Sequence, residues 1–318
     1  MNSSLIIKEK ESDKRLDIIL AEQFCDISRS QWQKKIKAGE VLVNNKEVNA
    51  SYKAKEKDNI EILNFKLSII NKVGKNKIQK DIKANLKNIK VVAECDDYAV
   101  INKPAGLVVH PDGVNQGITL VNWLVKKYPE VKEVGDDPYR PGIVHRLDKD
   151  VSGLLVIARN AAMFNCLKEQ FKKRKVNKEY WALVHNKMRQ EFGEIKIAIK
   201  RSKSKGMFIA CSEEVEDMKE ALTQYEVIKK FINFTLLKVE ILTGRTHQIR
   251  VHLSSIGHPI VGDKLYVTHD IKSKKRMVDL GRLWLQSVKL GFKDLEGKKV
   301  EYEIKTDQAL MDFLKDLK

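Results

Sequence analysis

The chain has only four cysteines, Cys25, Cys95, Cys166 and Cys211, and no two of them form a CxxC pair. That spacing argues against a disulfide framework and against a zinc ribbon, so the four are read as ordinary buried thiols. Long apolar runs are missing as well. The opening MNSSLIIKEKESDKR holds one three-residue apolar run before charge resumes, too short for a signal-peptide core. No later stretch approaches a membrane span, so a cytoplasmic protein with no membrane association is expected. The G-x-G-x-x-G loop and regular βαβ rhythm of a dinucleotide-binding fold are absent, as is any internal repeat, and no nucleotide cofactor is indicated.

Acidic residues are the scarcer charge: 43 Asp and Glu stand against 60 Lys and Arg, a net +17. Such an excess favours a polyanionic partner through counterion release and electrostatic steering, which makes nucleic acid the first class to consider. A basic chain also suits an anionic membrane surface, and a Lys-, Ile- and Asn-heavy composition can reflect AT-rich coding, so charge alone selects nothing. What is present in quantity is core. A chain of 318 residues with 42% apolar content can build one large domain and a small one.

Residues 15–63 read as a compact unit. Leu16, Ile19, Leu20 and Phe24 have helical spacing, and a second helix opens at Ser28, with Gln31 completing a capping box, and closes at Gly39. Val41-Leu42-Val43 and Lys46-Glu47-Val48 flank Asn44-Asn45, residues that tolerate the positive φ of a tight hairpin, and Asp58–Ile62 adds a third strand. The second helix carries Arg29, Lys34, Lys35 and Lys37, which offer either a phosphate-binding face or a solvated one. RLDIIL, SRSQ, IKAGEVLVNNKEV and DNIEI together resemble the S-four RNA-binding module, with bounds of 13–64. Residues 65–88 hold seven lysines and one acid, Asp81, and are read as a linker or insert with no assigned fold.

Beyond residue 89 strands and helices mix: IKVVAE, AVINKP, a helix near 118–128, GLLVIA, a helix from Ala161 to about Arg174, EYWALVH, TLLKVEIL and LWLQSVKL. The pattern predicts an α+β domain over 89–318, a mixed and largely antiparallel sheet with flanking helices. In the helix from Ala161, Phe164, Leu167 and Phe171 form the buried stripe, and Lys168, Lys172 and Lys173 face outward.

Two clusters carry chemistry. Arg140–Gly153 crowds His145, Arg146 and Asp148 ahead of the apolar run Leu154–Ala158, as a loop would to hold a carboxylate against the core, although a salt-bridged turn has the same pattern. Thr243–Leu253 sets Arg245, His247, Arg250 and His252 beside Gly244 and reads as an anion site. His247 and His252 are five apart, not the four that would place two ligands on one helix face, so a helical zinc pair is not expected.

KPAGLVVHP (103–111), RPGIVHRLDKDVSGLLVIA (140–158), NKEYWALV (177–184) and GRTHQIRVHLSSIGHPIVGD (244–263) occur in an order that resembles the RluA-type pseudouridine synthases. The likeness runs from about 89 to 305, with Val151 standing where the family commonly has Thr. It implies an isomerase that needs no metal, nucleotide or redox cofactor and turns uridine in RNA into pseudouridine. Asp148 matches the family's catalytic Asp, which must be ionised, and Arg250 matches the cation that favours that state. Tyr180 matches the active-site aromatic, Arg146 the side chain that fills the gap left by an extruded nucleotide, and Arg245 a phosphate contact. The expected partner is large-subunit ribosomal RNA or an assembly intermediate of it, acted on by a monomer. The alternatives are a transfer RNA substrate or a non-catalytic RNA-binding ribosome-assembly protein.

Overall fold

A computed structural model describes residues 3–7, 9–24, 29–63, 86–110, 118–202, 207–211, 217–273 and 277–317. These fall into two compact units, a small one within Met1–Asp81 and a large one within Ile82–His110 and Thr119–Lys318.

The small unit packs helices α1 (Leu16–Gln23) and α2 (Arg29–Lys37) on one antiparallel sheet. Its strands are β1 (Ser3–Ile6), β2 (Val41–Val43), β3 (Lys46–Glu47) and β4 (Asn59–Ile62), in the order β1-β4-β2-β3. Leu16, Ile19 and Leu20 lie one helical turn apart and share a face, so they bury together against Trp32, Ile36, Val41, Val43, Ile60 and Ile62. Gly39, at φ +71°, ends α2: its N–H reaches the Ile36 carbonyl while Glu40 N–H reaches that of Lys35, the paired bonds of a Schellman motif. Asn44 and Asn45 both have positive φ, as a two-residue hairpin demands. Strand β1 is not evident in the sequence, because four residues are too few to show alternation. Ser28 lies outside the described residues.

In the large unit, nine strands of the described residues form one sheet. They are β5 (Lys90–Glu94), β6 (Tyr98–Lys103), β7 (Ser152–Ala158), β8 (Asn177–His185), β9 (Phe192–Lys196), β12 (Leu222–Lys230), β13 (Phe234–Ile241), β14 (Leu285–Lys293) and β15 (Lys299–Glu303), with β10 (Ala198–Arg201) and β11 (Phe208–Cys211) forming a separate ribbon between β9 and β12 in sequence. The order is β5-β6-β7-β14-β8-β13-β12-β9, with β15 added on β14. Every pairing is antiparallel except β7 with β14, so the predicted mixed, largely antiparallel sheet is what forms. All seven residues of β7 are buried, as a central strand covered on both faces requires.

Alternation along the strands splits the core in two. Ala99, Ile101, Leu155, Ile157, Ala182 and Val239 face the helix α3 (Leu120–Lys127) and the helix α5 (Gln248–Ser255), whereas Val100, Leu154, Val156 and Ala158 face the helix α4 (Ala161–Lys172). Asn160 caps α4 by accepting the Met163 N–H at 2.9 Å. Phe164 and Leu167 of the expected stripe are buried and Phe171 is half-buried, while Lys168 pairs with Asp136, and Lys172 and Lys173 pair with Glu169. The helices α6 (His269–Ser273) and α7 (Gln308–Lys315) complete the unit.

The sequence reading missed strands β9 to β12 and β15, which are short or largely exposed and carry little apolar signal. It also erred on the thiols: Cys95 is exposed at a strand end, Cys166 and Cys211 are half-buried, and Cys25 lies outside the described residues. Residues 65–85 of the lysine-rich stretch are likewise outside them.

Two outcomes are expected. Gly153, at φ +123°, passes so close to β14 that an added Cβ would sit 2.1 Å from the Ser287 carbonyl oxygen. Gly153→Ala should therefore destabilise the large unit by about 3 kcal/mol or more, read by urea unfolding. In the small unit Asp17 is inaccessible and bonds to Arg15 and Arg29, each at 3.0 Å, and to Gln33. Burial alone would raise its carboxyl, but these bonds outweigh that and bring it from 3.8 to about 2. Stability from this group is complete above the unfolded value and lost as pH falls toward 2, so about 2 kcal/mol should disappear between pH ~4.5 and ~2. Asp17→Asn should flatten that limb of the pH–stability curve.

Candidate active site

Asp148 lies in the loop that leads into β7. Its neighbours Leu147 and Val151 are buried and anchor the loop, Val151 N–H bonds back to the Asp148 carbonyl at 3.2 Å, and the carboxylate keeps 16% of its side chain exposed. His145, grouped with it in the sequence, turns elsewhere. Its Nε2 accepts from Val156 N–H at 3.0 Å, its ring stacks on Phe171, and burial pushes it down to about 3, so it is neutral and structural.

Under the same loop lies Lys103, fully buried at the end of β6. Its Nζ donates to the carbonyls of Leu107 at 2.9 Å, Pro104 at 3.0 Å and Lys149 at 3.2 Å, which ties the residue after Asp148 to the sheet. Burial pushes the ammonium down to about 7, while Asp148 and Asp150 pull it the other way.

The facing wall runs from Thr243 into α5. Gln248, almost wholly buried, clamps it: its Oε1 accepts from Thr243 Oγ1 at 2.7 Å and Arg245 N–H at 3.0 Å, and its Nε2 donates to the Leu222 carbonyl and Thr223 Oγ1. In the first turn of the helix, Arg250 makes a two-pronged bond to Asp263, Nε to Oδ2 at 2.7 Å and Nη2 to Oδ1 at 3.0 Å. Asp263 Oδ1 also accepts the N–H groups of Leu265 and Tyr266, and the guanidinium lies over the Tyr266 ring at 4.9 Å. Burial opposes both charges, but the mutual bonds outweigh it, holding Asp263 below and Arg250 above the ordinary range. The remaining nitrogen, Nη1, reaches Asp148 Oδ2 at 3.5 Å, and His247 Nε2 reaches the same oxygen at 3.9 Å.

Asp148, His247, Gln248 and Arg250 line one open pocket of about 80 Å³, with Tyr180 and the apolar side chains of Leu147, Val151, Ile241, Ile249 and Leu285. It is small beside the roughly 300–1,000 Å³ of clefts that enclose whole ligands. Tyr180 enters from β8 and is buried. Burial, with the negative charge of Asp148, raises its phenol well above the ordinary value and keeps the hydroxyl protonated. The arrangement offers a carboxylate beside a fixed cation, a protonated phenol and dry walls. Among the described residues no group of three His, Cys, Asp or Glu is placed to hold a metal ion.

The other residues singled out by sequence are spread. Arg146 is exposed beside the pocket, with Nη1 3.4 Å from His110 Nε2. Arg245 lines the pocket with its Nε on the Glu220 carbonyl. In the small unit Arg29 is engaged by Asp17 and Lys35 by Glu40, whereas Lys34 and Lys37 are exposed. His252 bonds Thr223 and the Ile197 carbonyl and is structural. Sequence reasoning missed Lys103, Gln248, Asp263 and Tyr266. The first three lie inside the quoted motifs, so their position was visible but their partners were not.

Comparison with known proteins adds the following. Residues 97–255 match the RNA pseudouridylate synthase family and residues 14–60 the S4 domain. The chain is 38% identical over 281 residues to an uncharacterized RNA pseudouridine synthase of Aquifex aeolicus, covering 87% of this chain and 84% of that one. It is 40% identical over 266 residues to the ribosomal large subunit pseudouridine synthase D of Yersinia pestis, covering 83% and 76%. Among solved structures, human RNA pseudouridylate synthase domain containing 1 superimposes with a TM-score of 0.54 at 25% identity, over 73% of this chain and 96% of that one.

The buried pair sets an expected outcome. Asp263→Ala strands Arg250 without its main partner and should cost about 3–5 kcal/mol. Replacing both, Arg250→Met with Asp263→Leu, should cost clearly less than that single change, as chemical denaturation of the two variants would show.

Proposed function

The chain belongs to the RNA pseudouridylate synthase family, and from that premise we propose that it isomerises uridines of large-subunit ribosomal RNA, with Asp148 as the attacking carboxylate. The reaction breaks the bond from uracil N1 to ribose C1′, turns the base and joins C5 to C1′. N1 gains a proton, C5 loses one, and no other atom enters or leaves. It therefore calls for one anionic nucleophile, a seat for a flat ring and shelter from water. The observation that carries the reading is the 3.5 Å approach of Arg250 to Asp148 in an open pocket that Tyr180 also lines. Arg250, held in place by Asp263, faces the carboxylate from one side, and Tyr180 offers its ring to the uracil.

A base reaches such a pocket only by leaving its stack, at a cost of a few kcal/mol. Arg146, exposed at the rim, takes the vacated space, and Arg245 takes a phosphate. Residues 13–64 serve as the RNA-binding module, joined through 65–88 to a catalytic domain over 89–318. Lys34 and Lys37 are its leading phosphate contacts, Arg29 and Lys35 contributing from their ion pairs. The enzyme works as a monomer in the cytoplasm; no helix among the described residues is long and apolar enough to cross a membrane. The ribosomal substrate is supported by the likeness to the Yersinia pestis relative, which is named a ribosomal large subunit pseudouridine synthase.

Mapping pseudouridines in total RNA tests this directly. Cells lacking the protein should miss one or more sites in large-subunit RNA, and the wild-type gene should restore them. Asp148→Asn should lower the rate by at least roughly 10³-fold while RNA binding stays within a few-fold. Sites lost from transfer RNA alone would overturn the substrate, and an active Asp148→Asn would overturn the residue.

A further inference from the structure

His247 sits at φ +58°, a left-handed backbone that few non-glycine residues adopt, at the N-cap of α5. Its ring is boxed between Phe208 and Tyr266, at interplanar angles of 74° and 80°, so it has little room to swing. One nitrogen, Nδ1, lies 2.8 Å from the Tyr266 hydroxyl; the other, Nε2, points at Asp148 Oδ2 from 3.9 Å.

The hydrogen bonds decide the tautomer. Tyr266 oxygen already accepts the Phe208 N–H at 3.1 Å. The hydroxyl proton then needs an acceptor, and among the described residues His247 Nδ1 is the one within reach. A neutral imidazole that accepts at Nδ1 carries its proton on Nε2, the nitrogen facing Asp148. Burial first, with the neighbouring Arg250, favours the neutral ring, while Asp148 pulls the other way; the net shift is downward.

We propose that His247, held by Tyr266 as its Nε2–H tautomer, is a positioning residue for Asp148: with Arg250 it holds one carboxylate oxygen, Oδ2, and leaves the other to bond with substrate. This rests on the reading of Asp148 as the attacking carboxylate. The 3.9 Å gap closes to a hydrogen bond with a small turn of the carboxylate, the kind of tightening that accompanies substrate binding. Two donors fix the plane of the carboxylate where one would let it rotate about the Arg250 contact. Tyr266 serves both, since its hydroxyl sets the histidine and its ring face lies under the Arg250 guanidinium.

The test measures kcat and KM of the full-length protein on total RNA from cells lacking it, with pseudouridine counted by mass spectrometry. His247→Ala should lower kcat on the order of 10-fold with KM within about twofold, since misplacing a reacting group acts on the chemical step. His247→Gln, whose side-chain amide can donate near the position of Nε2, should recover kcat to within about threefold of wild type. Tyr266→Phe keeps the ring but frees the tautomer. It should lower kcat in the wild-type background and change little when His247 is already alanine. A His247→Ala enzyme with wild-type kcat, a glutamine variant no better than alanine, a defect confined to KM, or an equal Tyr266→Phe loss in both backgrounds would each overturn the proposal. Should the alanine variant fail to fold, the glutamine and phenylalanine variants carry the test, with thermal melting as the control. Asp148→Asn run alongside separates the two readings: if it stays active the underlying mechanism fails, and if it is dead while the His247 variants are normal only the positioning role fails.

Discussion

The buried pair of Arg250 and Asp263 is the interaction on which the site depends. A guanidinium this far from water is tolerable only if most of its donors are met, and Asp263 meets two of them in the planar geometry the two groups share. Two further backbone N–H groups fix Asp263, so the arginine has one orientation. The nitrogen left over is the one that faces Asp148. An arginine with a free side chain would bond the carboxylate from several directions; this one meets it from a single side and leaves the pocket open.

That geometry in turn depends on the central sheet. Asp148 and Tyr180 come from segments that become neighbours through β14, which pairs in parallel with β7 and antiparallel with β8. The parallel contact is short, Ser152 with Gln286 and Gly153 with Ser287, and it needs a residue without a side chain at 153. Lys103, at the end of β6, then ties the far side of the loop to the sheet through the Lys149 carbonyl, while the carbonyls of Pro104 and Leu107 take its other bonds. A carboxylate flanked by two such anchors is held in one place by the fold itself.

The two units make different use of charge. The large one concentrates it in a buried ion cluster of Asp148, Arg250 and Asp263, each sign answered at short range. In the small one Asp17 gathers Arg15 and Arg29, whose guanidinium groups stay partly in solvent. The same carboxylate thus stabilises α1 against α2 and holds two cations at the surface. The chain's net charge of +17 is compatible with many partners, and the cations placed here are answered by carboxylates of the chain itself.

The sequence by itself determined the local features, because their causes are local. Gly39 ends a helix since only glycine takes its φ cheaply, Asn44-Asn45 turns a hairpin, and apolar spacing marks α1, α4 and the central strands. The four motifs, through the resemblance they carry, also singled out Asp148, Tyr180 and Arg250, which the fold brings to one pocket. Only the tertiary structure decided the strand order, the parallel pair at Gly153, the exposure of Cys95 and the edge strands with weak patterns, all of which rest on pairings between distant segments. The same holds for partners. Nothing in the order of residues says that Asp263 rather than Asp148 takes the main bonds of Arg250, that His145 turns into the core, or that Tyr266 sets the proton on His247, because each is a contact made across the fold.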